Sequence, residues 1–375
     1  MFGFGKSYFL GVDFGTASIK AVELSVKGNR PVLENYAYVS LADLEKGIPS
    51  QSRSYDEEIV LHLKALLEQM RPKSKTARVA MPAFSGLVSL AEFPLMDEAE
   101  LQEAVRFEAH KYIPSPLDEV ALSWEVVGTH DGGNGEKKME VLLVAALNKE
   151  VVRYEGFVRA VDLKLDFLEL ETFSIARSII GNTFGLSLLI DIGSRATNLV
   201  LIENGLVKVS RNLDVGGRDV TRVLAEGLNI TLERAKMIKK GTKDYLNDRE
   251  SSLVFPSLQR IASEAERILT TYQTKHSGVQ CNQVVLSGGT AHFVGLLEYY
   301  EKILKLPVVL AAPWKNIEYD PKLEKKIQSF DTSFSVALGL ALSGAESVLK
   351  KEKNEAVVAV SEKENSSFKG FFSKK

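Results

Sequence analysis

Two short segments of the chain place a carboxylate directly before a glycine-rich turn. The first is VDFGTASIK, residues 12–20, and the second is IDIGSRATN, residues 190–198. A turn rich in glycine and hydroxyl side chains offers converging backbone N–H groups, which bind phosphate. A carboxylate beside such a turn can hold hydrated Mg²⁺, which takes oxygen ligands and keeps several waters. Each segment therefore predicts half of a site for phosphate and metal.

The candidate ligands repeat between the two segments. In both, the carboxylate is expected to face the metal; these residues are Asp13 and Asp191. The predicted phosphate-binding residues are Gly15, Thr16, Ala17, Ser18 and Lys20 in the first turn, and Gly193, Ser194 and Thr197 in the second. Two alternatives stay open, because Lys20 could be a solvated strand residue and each Asp could simply accept N–H bonds within its own turn. Two such turns on similar halves would grip phosphates from both sides.

A third glycine element, LSGGTAHFVGL, follows an apolar strand near residue 286. Its glycines, Gly288 and Gly289, would let a flat base approach the backbone closely. The pattern predicts a helix beginning near Thr290, whose N-terminus would favour a phosphate or a ribose.

The strands predicted around these turns occur in the same order in both halves of the chain, and an inserted segment separates the halves. Each half opens with three strands, of which the first two flank the motif turn. Residues 55–70 carry apolar side chains at helical spacing, with acids at the start and Pro72 just beyond the end. Between the halves, about 80 residues have their own pattern, a helix over 97–111 and two antiparallel strands around THDGGNGEKK.

Composition narrows the class of protein. The 375 residues are 45% hydrophobic and 26% charged with a net charge of −2, which is ordinary for a soluble globular protein and offers no basic surface for nucleic acid. A single cysteine excludes an intramolecular disulfide. No apolar run has the length of a membrane span, and the N-terminus has no signal-peptide pattern, so a cytoplasmic protein is expected.

The order of the three glycine elements resembles the actin-like ATPase superfamily. GVDFGTASIKAVEL is similar to its first phosphate motif, LLIDIGSRATNLVLI to its second, and VVLSGGTAHFVGL to its adenosine motif; ELETFSIARSI and TSFSVALGLAL are similar to its connecting helices. The resemblance covers residues from about 8 to 345. It implies an α/β fold of two homologous domains that bind ATP with Mg²⁺.

The resemblance also assigns further site residues. Glu171 matches the acid or amide that orients the attacking water, although a helix N-terminus favours an acid there in any case. Gly216, Gly217, Glu233 and Lys236 match positions that contact ribose and base. Glu233 and Lys236 are equally an ordinary surface pair at i,i+3. Whether ATP is hydrolysed stays open.

Within the superfamily, the insert resembles that of the PilM family of type IV pilus assembly proteins, which is related to FtsA. The PilM pattern E-x-x-[KR]-[YF]-[IL]-P is matched in RFEAHKYIPSPLDEVALSWEVVG by Glu108, Lys111, Tyr112, Ile113 and Pro114, followed by Glu119. The resemblance implies four parts: an actin-like domain 1A over 1–84 and 166–187, an inserted subdomain 1C over 85–165, a domain 2 over 188–345 with a 2B insert at about 228–280, and a disordered tail over 346–375.

A PilM-like protein would be a cytoplasmic ATP-binding component of the pilus assembly complex. The resemblance implies that it binds the N-terminal cytoplasmic peptide of a PilN-like inner-membrane protein, in a groove between domain 1A and the insert that is lined by the helix at 97–111. Other pilus assembly proteins are expected partners, and the protein would be peripheral to the inner membrane through its partner. Self-association stays open.

Three alternatives remain at this stage. An FtsA-like protein would form filaments and attach to a membrane, for which the tail SSFKGFFSKK is a short candidate. A sugar or acetate kinase would need a catalytic Asp, and the candidates, Asp97 and Asp118, both lie in the insert. A type II secretion relative that fuses PilM-like and PilN-like parts would need a transmembrane span.

Overall fold

Two five-stranded sheets with the same strand order form the body of the protein. The computed structural model describes residues 7–41, 54–132, 135–181, 183–248, 252–276 and 278–349. The strands are β1 (Tyr8–Phe14), β2 (Ser18–Lys27), β3 (Arg30–Ser40), β4 (Thr76–Met81), β5 (Gly86–Pro94), β6 (Val120–Asp131), β7 (Lys137–Leu147), β8 (Lys164–Leu170), β9 (Leu186–Ile192), β10 (Thr197–Glu203), β11 (Leu206–Leu213), β12 (Cys281–Ser287) and β13 (Val308–Leu310).

The helices cover the faces of these sheets. They are α1 (Tyr55–Met70), α2 (Glu98–Glu108), α3 (Asn148–Arg159), α4 (Glu171–Ile179), α5 (Gly217–Gly227), α6 (Leu232–Lys239), α7 (Pro256–Lys275), α8 (Leu296–Leu304), α9 (Glu324–Gln328) and α10 (335–349). Because helices lie on both faces, the central strands are apolar on both sides. In β9, for example, the first five residues are all buried.

The sequence repeat is a repeat of sheet topology. The first sheet has the order β3-β2-β1-β4-β8 and the second the order β11-β10-β9-β12-β13. In each, three strands form an antiparallel meander and two further strands run parallel to the first strand of the meander. The α/β architecture of two homologous halves is thereby confirmed.

The strand register places both motif turns at equivalent corners. Asp13 lies opposite Lys20 across the β1–β2 hairpin, and Asp191 lies opposite Asn198 across the β9–β10 hairpin. Glu171 follows the end of the parallel strand β8, and Gly288 follows the end of β12. In open α/β sheets, ligands bind at the carboxyl ends of such strands, so the candidate residues gather at the ligand-binding edge.

The inserted segment forms a separate three-stranded sheet with the order β5-β7-β6. Helix α2 covers one face of it, where Leu101 and Val105 pack with Phe93, Val141 and Leu143. Asp97 caps α2 by accepting a hydrogen bond from the backbone N–H of Glu100, and a 3₁₀ turn over Ala109–Lys111 completes the predicted helix at 97–111.

The segment after β7 packs on the first domain. Phe14 of β1 contacts Tyr154 and Phe157 of α3, with ring centroids 5.5 and 5.4 Å apart. Strand β8 pairs in parallel with β4 of the first sheet. We therefore propose that the insert ends near residue 147, earlier than the sequence boundary at 165.

Two other elements differ in their limits from the sequence prediction. The helix expected near Thr290 begins at Leu296, because residues 288–295 form successive turns and Gly295, with φ +85°, precedes the helix. Helix α10 continues to residue 349, four residues past the predicted end of domain 2. The tail from residue 350 and its FKGFFSKK segment lie outside the described residues.

One described helical stretch, Thr332–Leu349, has the length and apolar composition of a membrane span. Of that window, 67% is buried inside the protein. Its apolar side chains include Phe334, Leu338 and Leu342, which pack against Val22 and Leu24 of β2. Core helices of soluble proteins show the same burial.

We predict that Gly339→Ala destabilises the protein. A Cβ at Gly339 in α10 would overlap the backbone carbonyl oxygen of Ser174 in α4, so the two helices would have to separate. The expected loss in the free energy of unfolding, measured by urea denaturation, is about 1–3 kcal/mol. The matched control is Gly156→Ala in α3, where a Cβ meets no atom within 4 Å; that change should stabilise by about 0.5–1 kcal/mol. Equal effects of the two variants would contradict the close helix crossing.

Candidate functional site

The first motif turn carries a buried ion pair at its base. Asp13 is 4% exposed, and its Oδ2 lies 3.1 Å from the Nζ of Lys20. The Lys20 side chain is itself only 16% exposed. A Cβ at Gly15 would lie 3.6 Å from the Lys20 ammonium and 3.7 Å from the Asp13 carboxylate. The turn residues Gly15, Thr16, Ala17 and Ser18 stay partly exposed beside this pair.

Glu171, the first residue of α4, is held by donors from two other parts of the molecule. Its Oε1 accepts hydrogen bonds from the backbone N–H of Ala83 at 3.0 Å and from Nδ2 of Asn198 at 2.8 Å. Asn198 is fixed in turn, since its Oδ1 accepts from Nδ2 of Asn212 at 2.6 Å. Ala83 lies at the root of the insert, and Asn198 lies on β10 of the second domain. Both bonds end on one oxygen atom of Glu171.

Two carboxylates of the site, Glu171 and Asp191, have raised pKa values, chiefly because they are buried. Burial raises the pKa of Glu171 to about 7; the bonds from Ala83 and Asn198 oppose this shift, and the negative charges of Asp13 and Asp191 add to it. Burial likewise raises the pKa of Asp191 to about 6, against the hydrogen bond from Ser287 and the charge of Lys20. The charge of Asp13 again adds to the shift. The site therefore holds more negative charge than its own lysine neutralises.

The second turn is packed against the loop that opens α5. The backbone N–H of Gly217 donates to the Gly193 carbonyl at 2.9 Å, and that of Arg218 donates to the Ser194 carbonyl at 2.9 Å. A Cβ at Gly216 would lie 2.8 Å from the Ser194 carbonyl oxygen, too close for any side chain. The hydroxyl of Thr197 donates to the Val215 carbonyl at 2.8 Å. The glycine pair and the second turn therefore form one backbone unit.

The third glycine element joins the same unit. Gly288 has φ +86°, a conformation that favours glycine, and a Cβ there would lie 2.5 Å from the Ile192 carbonyl oxygen. The N–H of Thr290 donates to that carbonyl at 3.3 Å, and the Thr290 hydroxyl lies against Gly217. A Cβ at Gly289 would meet no atom within 4 Å, so a flat ligand group has room beside it.

Two further predicted residues lie on α6. The side chains of Glu233 and Lys236 are exposed on α6. It is Lys239, one turn further along α6, whose Nζ reaches the Gly217 carbonyl at 3.0 Å. Lys236 was predicted from the family resemblance, and Lys239 lies on the same side of the helix, three residues further along.

Sequence reasoning also missed Asn198 and Ser287. Asn198 lies opposite Asp191 across β9 and β10, as Lys20 lies opposite Asp13, so the repeat itself was a signal for it. Ser287 is the parallel-strand neighbour of Asp191 and hydrogen bonds to it. Within the described ranges, no group of three or more His, Cys, Asp or Glu side chains could hold a metal. Asp13 and Asp191 could hold Mg²⁺ only with waters or phosphate as the other ligands.

Comparisons with known proteins place this geometry in a family. The family model described as type IV pilus assembly protein PilM matches residues 11–345. A solved PilM–PilN type IV pilus biogenesis complex is 25% identical, with a TM-score of 0.73, over 90% of this chain and 98% of that one. EutJ of Carboxydothermus hydrogenoformans is 19% identical, with a TM-score of 0.54 over 90% of each chain, and shows the fold alone.

A weaker relationship connects the chain to cell division proteins. The protein FtsA of Neisseria meningitidis serogroup B is 27% identical over 195 residues. That alignment spans 45% of this chain and 45% of FtsA, so it leaves more than half of each protein unmatched. The PilM family model, in contrast, covers both sheets, the insert and α10. This chain belongs to the PilM family of type IV pilus assembly proteins.

Proposed function

We propose that this protein is a cytoplasmic, ATP-binding component of the type IV pilus assembly complex that binds the N-terminal peptide of a PilN-like inner-membrane protein. The observation that carries the proposal is the meeting of two equivalent carboxylate–glycine turns and a third glycine loop, in a chain of the PilM family. Attachment to the inner membrane would come through the partner.

The nucleotide would lie between the two motif turns. The turn at residues 15–18 and the turn at 193–196 would direct backbone N–H groups at its phosphates. Lys20 already lies in the site and would add a positive charge. Gly289 and Thr290 would lie beside the adenosine, with Gly216 and Gly217 below it. Lys239 replaces Lys236 in this proposal, because Lys239 contacts the Gly217 carbonyl.

The chemistry of the site favours a divalent cation. Asp191 and Glu171 both have raised pKa values, partly because Asp13 adds negative charge beside them. Mg²⁺ would neutralise that charge, with Asp13 and Asp191 as its protein-side anchors, and would offset the charge of the phosphates. Glu171 would orient a water with its second oxygen, since Oε1 already accepts two bonds. Hydrolysis is proposed as slow, because Glu171 is only partly ionised near pH 7.

The proposed peptide site lies between the first domain and the insert. PilN is the partner named in the solved complex of the similar protein. In this chain, α2 exposes Phe107, which is 73% accessible, and Phe84 and Leu95 are exposed before and after β5, respectively. Exposed apolar side chains beside the edge of a small sheet suit an extended or helical peptide. The alternative is a filament-forming, FtsA-like role. It is less favoured, because the similarity to FtsA spans only 45% of each protein.

We predict that Asp13→Asn and Asp191→Asn each weaken Mg·ATP binding about tenfold or more, because each removes a charge that would anchor the cation. Isothermal titration calorimetry with and without Mg²⁺ measures the effect. The control is Asp214→Asn, since Asp214 is an exposed acid beside the second turn, paired with Arg195 at 3.3 Å. Unchanged ATP affinity in both site variants would rule out a nucleotide site formed by the two motif turns.

We predict that Glu171→Gln makes the protein more stable than the wild type above pH 7. The folded state keeps the Glu171 proton until its pKa of about 7, whereas the unfolded chain releases it near the ordinary glutamate pKa of 4.5. Wild-type stability therefore falls as pH rises between these values. Gln keeps an oxygen that accepts the bonds from Ala83 and Asn198. The expected gain at pH 8 is on the order of 1–3 kcal/mol, vanishing near pH 4.

Denaturation at several pH values measures this difference, with the exposed Glu226→Gln as the control. A constant difference between Glu171→Gln and the wild type from pH 4 to 8 would contradict the raised pKa. Saturating Mg·ATP should reduce the difference, since the cation would favour the ionised carboxylate.

We predict that a synthetic peptide of a PilN-like cytoplasmic N-terminus binds this protein saturably. Phe107→Asp should weaken the binding about tenfold, because it replaces an exposed apolar contact by a charge. Met237→Asp on α6, another exposed apolar residue, is the matched control and should bind as the wild type does. Fluorescence titration with and without Mg·ATP measures both. If ATP binds but the peptide binds under neither condition, the FtsA-like alternative gains support.

A further inference from the structure

The insert is joined to the second domain by a buried ion pair. Lys208 of β11 donates from Nζ to Glu140 Oε2 of β7 at 2.6 Å and to the Val127 carbonyl of β6 at 3.2 Å. The two charged side chains are 5% and 7% exposed. At the rim, Nζ of Lys275 on α7 lies 2.6 Å from Glu92 of β5. Both pairs cross from the second domain to the insert, so they hold the two bodies together.

Two polar atoms at this contact have no hydrogen-bond partner. They are Oε1 of Glu140, in the insert, and Nε2 of His276, at the end of α7, and both are buried. The two atoms are 3.9 Å apart, which is too long for a hydrogen bond. In the described part of the chain, Ser257 Oγ is the one other buried side-chain atom of this kind. Buried polar atoms are nearly always paired, so two facing each other across an interface require an explanation.

The imidazole is held in position for such a pairing. It stacks on the ring of Tyr272, with centroids 4.2 Å apart and an interplanar angle of 26°. The hydroxyl of Tyr272 donates to Glu203 Oε2 of β10 at 3.1 Å. Glu140, Glu203, Lys208 and His276 line one cavity of about 330 Å³ between the insert and the second domain.

His276 lies among charged side chains of both the insert and the second domain. With neutral His276, Glu140 and Glu203 carry two negative charges against the one positive charge of Lys208. A proton on His276 balances this set. The other charged or titratable groups around it are His130 of β6 on the cavity wall, the Glu92–Lys275 pair with Lys138 at the rim, and Arg211 and Arg267 in the groove on the far side of Lys208.

We propose that His276 is a proton-operated clamp between the insert and the second domain. On protonation both ring nitrogens carry an N–H, whichever tautomer the neutral ring had, so Nε2 donates to Glu140 Oε1 in a charge-assisted bond that satisfies both unpaired atoms. The carboxylate then bridges Lys208 and His276, which both belong to the second domain. Imidazole is the side chain that ordinarily changes its charge between pH 5 and 8. The contact therefore tightens as pH falls through that range, independently of any nucleotide or peptide.

The test is hydrogen–deuterium exchange of the full chain at pH 8 and pH 6, corrected for the intrinsic exchange rate at each pH. With His276 intact, the amides of β11 and of the facing β5 and β7 should become about three- to tenfold better protected at pH 6, the gain expected for a partly buried ion pair. Every protein in this comparison carries Glu171→Gln, because Glu171 also takes up a proton between pH 8 and pH 6. In that background His276→Gln, which cannot take the charge, should lose the gain. His62→Gln is the matched control, because His62 also lies 4.0 Å from a carboxylate, that of Glu58, but within α1 alone.

An equal gain with and without His276→Gln, or no gain with His276 intact, would overturn the clamp. A gain confined to α1, or abolished by His62→Gln, would also overturn it. Since Gln keeps a polar group at the interface and leaves the Glu140–Lys208 pair intact, the variant is expected to fold, and its protection at pH 8 should match that of the protein with His276 intact. A lower protection of His276→Gln at both pH values would show a structural role of the ring and contradict control by the proton.

Discussion

The hydrogen bonds that end on Glu171 Oε1 join the first domain, at the point where the insert leaves it, to the second domain. The carboxylate begins a helix of the first domain, and its donors are a backbone N–H at the root of the insert and an amide on the second domain. Buried carboxylates need such donors, since an unpaired one is costly to remove from water. Here the donors do not offset the burial completely, because Asp13 and Asp191 add negative charge, and the pKa stays near 7. The junction of the domains is thus also the place where a cation would be most stabilising.

The repeated topology explains why the charge collects there. Each sheet carries its acid at the end of the first strand of a meander, and the antiparallel neighbour places a polar residue opposite that acid, Lys20 in one half and Asn198 in the other. The halves are alike in backbone but differ in charge. Lys20 pairs with Asp13, whereas Asn198 offers Asp191 no positive charge and contacts Glu171 instead. A phosphate ligand would therefore approach the first half, and a cation the side of Asp191.

Most of the local structure could be predicted from the sequence. Helix α1 has the bounds that its apolar spacing indicates, because the Ser54–Glu57 capping box fixes its start. Local sequence signals fail to predict the structure where a contact between residues distant in sequence determines it. The turns at 288–295 replace a helix because Gly288 must pass under the Ile192 carbonyl. Lys239 reaches Gly217 only because α6 folds back on α5, and α3 joins the first domain because Phe14 contacts its aromatic side chains. Sequence periodicity carries no information on such partners.

The insert is attached at two places of different chemistry. At its root, Ala83 shares Glu171 with the proposed nucleotide site, so a ligand that draws Glu171 toward its phosphates would alter the bond to Ala83. At its far side, Glu140 meets Lys208 and His276 of the second domain. The first attachment responds to charge in the cleft between the domains, and the second to the protonation of one imidazole. Because the insert has its own sheet and its own core under α2, a change at either attachment would move it as a body. An exposed apolar surface on that body, around Phe107, would then be presented at an angle set by both attachments together.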